Sequence, residues 1–331
     1  PGLLDDSVRR LVHDDELVVR PPGGGTAGGR GRRRRLSPTS PVAVWSGNGW
    51  PVDGVGLRSG SPGQVKIIRA DGTPVGTVDR GRAGEVVHDG AVYLHAGRHY
   101  RVRELDLDAG CAVVEPDDGG TYTSATTRMD LRIRGEDVVD ESGPVRLAVG
   151  PISVTTRVTG YVRKDVASGE VVERTGLSLP PSTLDTRGVW RVIPEEILAG
   201  VGLVPERWPG ALHAAEHAAI GVLPLFAICD RWDVGGVSTA RHVDTGAPTI
   251  VIYDGYPGGA GIAELGFEAA ERHWRITAEV IAACPCSTGC PSCVQSPKCG
   301  NGNEPLDKDG ALAMLGALTG LAVPVADRAT A

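Results

Sequence analysis

The spacing of apolar positions along this chain switches from period two to period 3.6 near residue 195. From residue 42 to 194 apolar and polar residues alternate, as on strands with one buried face. "QVKIIRADGTPVGTVD" carries the Asp71–Gly72 pair of a hairpin turn. "AVYLHAGRHYRVRELDLDAGCAVVEP" predicts three strands turning at Ala96–Gly97 and Asp108–Gly110. A second section, 144–193, predicts another hairpin at Ser168–Gly169. After 195 the helical period takes over. "GALHAAEHAAIGVLPLFAICD" puts Leu212, Ala215, Ala219 and Val222 on one face, with Pro224 ending the helix. "PTIVIY" has the continuous apolar run of a buried strand, and "GIAELGFEAAERHWRITAEVIAAC" predicts one long amphipathic helix. A last helix at 307–321 packs through Leu312, Met314, Leu315 and Leu318. The expected fold class is α+β: a β-rich module over 42–194 (small barrel or meander plus hairpins), then an α/β domain over 195–331 carrying a four-cysteine zinc site.

The first 41 residues follow neither pattern for long. Leu4, Val8, Leu11 and Val12 share a helical face and "ELVVR" follows as a strand. Helix then strand is how a winged helix ends, so 1–21 is expected to be the end of such an element. The chain opens on Pro rather than Met, as an excised piece would. Residues 22–41, with "PPGGGTAGG" before "RGRRRR", predict a flexible Gly/Arg-rich linker. Its Arg32, Arg33, Arg34 and Arg35 could also serve as an arm on phosphates.

Composition narrows the class without naming it. The 331 residues suffice for about two domains. No apolar run approaches the roughly 18–20 residues of a membrane span, and no signal peptide is visible, so the expectation is a cytoplasmic protein with no membrane partner. A net charge of −7 disfavours a surface coated in nucleic acid.

Five of the seven cysteines fall in "CPCSTGCPSCVQSPKC", residues 284–299. Short Gly/Pro/Ser turns let thiolates converge on a tetrahedral ion, with Zn–S near ~2.3 Å. A redox Cys-x-x-Cys pair more often stands alone at a helix start, and a disulfide knot needs an oxidising compartment. The spacing predicts structural zinc on Cys286, Cys290, Cys293 and Cys299; Cys284, one Pro away, could replace Cys286. Four protein ligands leave no open position for chemistry.

Two further stretches resemble enzyme signals. "HAAEH" places His213 and His217 four residues apart with Glu216 between, which is the H-x-x-E-H pattern of one class of zinc peptidases. Against this stands an Ala/Leu-rich helix, where histidines are more often packed core residues, and no obvious third ligand follows, though Glu264 and Glu268 are conceivable. "YDGYPGGAGIAE" joins a strand to a helix and could cradle a phosphate. It lacks the Gly-Lys-Ser/Thr ending of a P-loop, so a tight strand-to-helix turn is the expected reading.

Taken together, "ALHAAEHA", "CDRWDVGGVST", "TIVIYDGYPGGAGIAELGF" and "CPCSTGCPSCVQSPKCGNGNEPLDK" resemble the C-terminal zinc-binding domain of MrfA/SftH-type superfamily 2 DNA helicases. "GVGLRSG", "GAVYLHAGRHYRVRELDLD" and "LPPSTLDTRGVW" resemble the β-rich section before it. The resemblance spans roughly 1–20 and 42–321. It implies a 3′-to-5′ DNA translocase and helicase acting in DNA repair, with Cys286, Cys290, Cys293 and Cys299 as its four-cysteine motif. ATP and magnesium would be bound by the parent helicase's motor, since this chain has no P-loop lysine and no acidic helicase box. The expected role is an accessory fragment, without ATPase activity of its own, partnered by the motor domains and by single-stranded or tailed DNA. Lys298 and Arg231 lie near the motifs as candidate phosphate contacts, and Trp45, Trp50, Trp190, Trp232 and Trp274 as candidate stacking surfaces. Two rivals stand beside this reading: a purely structural zinc module that does not touch DNA, and a metallohydrolase using His213, Glu216 and His217.

Overall fold

A computed structural model describes residues 8–9, 11–13, 17–20, 42–46 and 63–321. The chain divides into two units, 1–59 and 60–331.

In the first unit, residues 8–9 and 11–13 are helical. Strand β1 (Leu17–Arg20) pairs antiparallel with β2 (Val42–Trp45), Leu17 opposite Trp45 and Arg20 opposite Val42. The helix-then-strand order holds, but β2 belongs with this unit and not with the β-rich module that was expected to begin at 42. Arg32, Arg33, Arg34 and Arg35 lie outside the described residues, as does Trp50.

The second unit opens with a five-stranded sheet of order β4-β3-β7-β6-β5. Its strands are β3 (Gln64–Arg69), β4 (Pro74–Asp79), β5 (Val92–His95), β6 (Arg98–Asp106) and β7 (Cys111–Pro116). All three expected turns form, the one at Asp108–Gly110 with Gly110 at φ 65° between β6 and β7. Gly72 takes a left-handed φ of 83° between β3 and β4, where the Asp71 carboxylate accepts from the Thr73 amide at 3.0 Å. Ala96 and Gly97 turn the chain between β5 and β6 with φ of 48° and 75°. The sheet is not a simple meander, however: β3 lies parallel to β7, Lys66 opposite Cys111. A parallel neighbour needs a crossover connection, and helix α1 (Arg80–Val86) lies on that route. It buries Ala83 against Val65, Ile67, Val102, Ala112 and Val114.

The larger sheet has seven strands. It is organised by β10 (Arg146–Asp165), whose two edges are both occupied along its length. One edge takes β8 (Thr121–Ile133) and β9 (Val138–Asp140); the other takes β12 (Ser182–Val192) and β11 (Val171–Gly176), the latter through the hairpin at Ser168–Gly169. The sheet then continues through β12 to β14 (Thr249–Asp254) and β13 (Val234–Thr239). This corrects the expected boundary at 194–195. The β-rich and α/β parts share one sheet, because β14, buried at all six positions, needs a partner on each side.

Helices cover the C-terminal strands. α2 (Glu195–Gly200) leads to α3 (Trp208–Val222), then α4 (Ile262–Glu268), α5 (Ala270–Ala283) and α6 (Lys308–Thr319). Leu212, Ala215, Ala219 and Val222 are buried as their spacing predicts. So is most of the rest of α3, because β13, β14, α5 and α6 enclose it. The long helix expected over 261–284 is interrupted at Ala269, which leaves helical geometry (φ −91°, ψ 6°). Its two pieces pack on different layers, α4 on β12 and β14, α5 on α3 and α6. The main core joins Leu212, Trp274, Ile281, Met314 and Leu315 with Val294 from the cysteine loop. Among the described residues no helix is long and apolar enough to cross a membrane.

Candidate metal centre

The end of α5 delivers the chain to the cysteine cluster. Cys284 is the C-cap residue, extended at φ −77° and ψ 121°. Its sulfur lies 3.5 Å from those of Cys286 and Cys290; Cys286 lies 3.5 Å and Cys290 3.8 Å from Cys293. A tetrahedron with Zn–S near ~2.3 Å has sulfur–sulfur edges of about 3.8 Å, so these four thiols fit a zinc ion. The local turns that produce this are visible. Cys293 donates its amide to the Cys290 carbonyl at 3.0 Å, and Gln295 to the same oxygen at 3.1 Å. Gly289 sits at φ 116°, with Val294 Cγ2 only 2.5 Å from where a Cβ would stand, so no other residue fits that turn.

Charge is matched as well as shape. Four thiolates around a divalent cation carry a net negative charge, and the buried Lys308 ammonium stands against them. Its Nζ donates to the carbonyls of Cys284 (2.7 Å) and Cys286 (2.5 Å) and lies 3.4 Å from Cys286 Sγ. The thiols share their protons unequally. At Cys286 burial raises the thiol, but the neighbouring sulfurs and Lys308 outweigh it and lower it; at Cys293 burial raises it. Metal binding would deprotonate all four.

The sulfurs brought together differ from the expected ligand set by one member. Cys284 is in the cluster and Cys299 is not: among the described residues the grouped sulfurs are Cys284, Cys286, Cys290 and Cys293. Cys299 lies within a further loop, Ser296–Asn303, that turns away. Asn303 closes this loop by accepting from the Ser296 amide (2.7 Å) and donating to the Ser296 carbonyl (3.1 Å). It leaves the Cys299 sulfur 3.4 Å from His213 Nε2 on α3.

His213 and His217 stack edge-on with centroids 4.2 Å apart. The Nδ1 of His213 lies 2.8 Å from the Pro305 carbonyl, and that of His217 2.8 Å from the Val294 carbonyl. Burial pushes the His217 imidazole down to about 4, and His213 beside it adds to this. Glu216 faces another way. Its carboxylate accepts from Ser238 Oγ at 2.6 Å, and burial pushes it up to about 7 in spite of that bond. Gly236 on β13 lets the strand approach: a Cβ there would stand 2.4 Å from Glu216 Oε1. The three residues of the peptidase-like pattern therefore do not converge, since the third group beside the two histidines is Cys299. All of them line a cavity of about 560 Å³, with Arg128, Arg231 and Lys298 also in its wall.

The candidate DNA contacts separate sharply. Lys298 Nζ donates to the carbonyls of Arg231 (2.9 Å) and Val234 (3.0 Å), and burial lowers it. It ties two segments together. Trp190 and Trp274 are core residues, and Arg191 stacks over Trp274 at 4.6 Å. Trp232 is 65% exposed, with the Lys298 ammonium 4.9 Å from its ring centroid. In "YDGYPGGAGIAE" the turn is occupied from within. The Asp254 carboxylate accepts from the amides of Ala260, Ile262 (3.2 Å) and Ala263 (2.8 Å), so a phosphate would find those donors taken. Sequence reasoning missed Cys284 as a full cluster member, Lys308, and Asn303. Five cysteines for four places, beside a histidine pair short of a ligand, was the available signal.

The profile of the family described as MrfA Zn-binding domain matches residues 215–294. The uncharacterized ATP-dependent helicase YprA of Bacillus subtilis is 32% identical over 257 residues, 76% of this chain and 34% of that protein. The ATP-dependent helicase HRQ1 of Saccharomyces cerevisiae is 26% identical over 286 residues, 82% of this chain and 26% of its own length. Among solved structures, the DUF1998 helicase MrfA bound to DNA superposes with a TM-score of 0.57 at 27% identity, over 94% of this chain and 39% of that one. The chain thus spans between 26% and 39% of the length of these relatives. It is related to the C-terminal region of MrfA-type DUF1998 helicases, part of the MrfA/YprA/HRQ1-like family of ATP-dependent helicases, and it carries their zinc-binding domain.

Proposed function

We propose that this chain is the C-terminal accessory part of an ATP-dependent 3′-to-5′ DNA helicase serving DNA repair. In this role it lies beside the motor and guides single-stranded DNA. The observation that carries the reading is the likeness, over 94% of the chain, to a helicase crystallised with DNA. ATP and magnesium belong to the motor of the parent protein. The cluster of Cys284, Cys286, Cys290 and Cys293 holds structural zinc, which fixes the loop against α3 and α6. Trp232, exposed and backed by Lys298, is the stacking surface for a base, and Arg128, Arg231 and Lys298 line the cavity of about 560 Å³.

A second reading, a brace for the motor without DNA contact, is favoured by the net charge of −7 and by the engagement of the Lys298 ammonium with carbonyls. Fluorescence anisotropy of a labelled single-stranded oligonucleotide, at low and at physiological salt, separates the two. Guidance expects binding that falls steeply with salt and weakens roughly 5- to 100-fold in Trp232→Ala, the effect of losing one stacked base. No binding at low salt makes the chain a brace.

A further inference from the structure

We propose that this chain holds a second metal ion, distinct from the four-cysteine site, on His213, His217 and Cys299. One ligand atom from each of the three lies within 4.8 Å of the others. The His213 Nε2 to Cys299 Sγ separation of 3.4 Å is close to the N–S edge, about 3.5–3.6 Å, of a tetrahedron with Zn–N near ~2.05 Å and Zn–S near ~2.3 Å.

The hydrogen bonds behind the rings carry the argument further. A carbonyl oxygen only accepts, so each Nδ1 must be the protonated nitrogen: His213 donates to Pro305 and His217 to Val294. Each ring is thereby fixed as the tautomer whose Nε2 bears the lone pair. A backbone carbonyl behind the ring is the usual orienting partner of a metal-bound histidine. Cys299 is prepared in the same way. The Asn303 amide donates to its sulfur at 3.2 Å, which fixes where the sulfur stands, and the Asn303 side chain locks the loop on Ser296. The bland alternative, two packed core histidines, accounts for the burial of His217. It gives no reason for both Nδ1 atoms to be held by carbonyls while a sulfur stands at the Nε2 of His213.

Two nitrogens and one thiolate suit zinc or cobalt(II). With three protein ligands the fourth place is open, and all three side chains line the cavity of about 560 Å³. The site does not rest on the DNA-guiding reading, and metal content reports on it whether or not the chain binds DNA.

The test is metal analysis of the chain purified with zinc and then freed of loosely held ions. About two equivalents of zinc per chain are expected, falling to about one in Cys299→Ser. A single equivalent in the unaltered chain, unchanged by Cys299→Ser, overturns the proposal. Because a substitution can disturb folding, zinc X-ray absorption on the unaltered protein gives an independent readout. Mixed sulfur and nitrogen scattering supports the second site, and an all-sulfur first shell defeats it.

Discussion

Two clusters share the loop between α5 and α6, and they are built in opposite ways. The four-cysteine cluster is local: Cys284, Cys286, Cys290 and Cys293 fall within ten residues, and turns at Gly289 and Cys290–Cys293 bring their sulfurs together. The group of His213, His217 and Cys299 is long-range, joining residues 86 apart across α3 and the Ser296–Asn303 loop. The first needs only its own turns and a buried ammonium. The second needs α3 held in place by α5, α6 and β13. Closeness in sequence makes a cluster cheap in chain entropy, while separation makes it depend on everything between.

This contrast can be broken or sharpened by experiment. The largest effect is expected from replacing Cys290 and Cys293 by Ser. Zinc binding to small folded sites is worth on the order of 10 kcal/mol, so the layer of α3, α5 and α6 should lose cooperative melting, followed by circular dichroism. A normal melt would show that the local cluster does not hold this layer.

Next comes acid pH, which attacks the frame of the long-range group. Burial pushes His273 down to about 4, and its Nε2 donates to the Ala219 carbonyl at 2.8 Å, joining α5 to α3. The unfolded chain protonates this histidine near its ordinary 6.5, and the fold keeps it neutral down to about 4. Between those values the unfolded state binds more protons at this site, so the histidine's contribution to stability falls as pH drops, by about 3 kcal/mol, and levels off below. His217, also held down to about 4, adds to this slope and Glu216, held up to about 7, opposes it. Urea unfolding at pH 7, 5.5 and 4 should therefore show His273's share as the difference between the unaltered chain and His273→Phe.

A smaller loss is expected of Asn303→Ala. It removes two hydrogen bonds to Ser296 and places Ala at a φ of 66°, costing about 1–3 kcal/mol. Hydrogen exchange should show lost protection at Ser296 and Asn303 and retained protection at Cys293. Equal loss at both would mean that the two clusters fold as one. The smallest effect belongs to Trp232→Ala, whose exposed ring should leave stability within about 0.5 kcal/mol, measured by the same urea unfolding.

Much of the architecture was readable residue by residue. The turns at Asp71–Gly72, Ala96–Gly97 and Ser168–Gly169 lie where their residue types put them, and "PTIVIY" is a strand buried along its length. Period-two and period-3.6 patterns report a residue's own environment, so they survive any arrangement of neighbours. Partners were less legible. Nothing in "QVKIIR" says that β3 runs parallel to β7, and nothing around residue 194 says that β12 will take β14 as its neighbour. The glycine-rich turn could be read as a turn, but only the fold shows that Asp254 fills it.

The sequence by itself determined that the chain is α+β, that a loop after a long amphipathic stretch gathers thiols suited to zinc, and which helicase family the chain resembles. These follow from spacings of a few residues, where the covalent chain limits the distance. The tertiary structure alone decided that the sulfur of Cys284 and not of Cys299 stands beside those of Cys286, Cys290 and Cys293, that the Lys298 ammonium bonds to carbonyls, and that Cys299 faces two oriented imidazoles. Each of those depends on how α3, β13 and the loop are packed, and packing is set by the whole core and not by any one stretch of it.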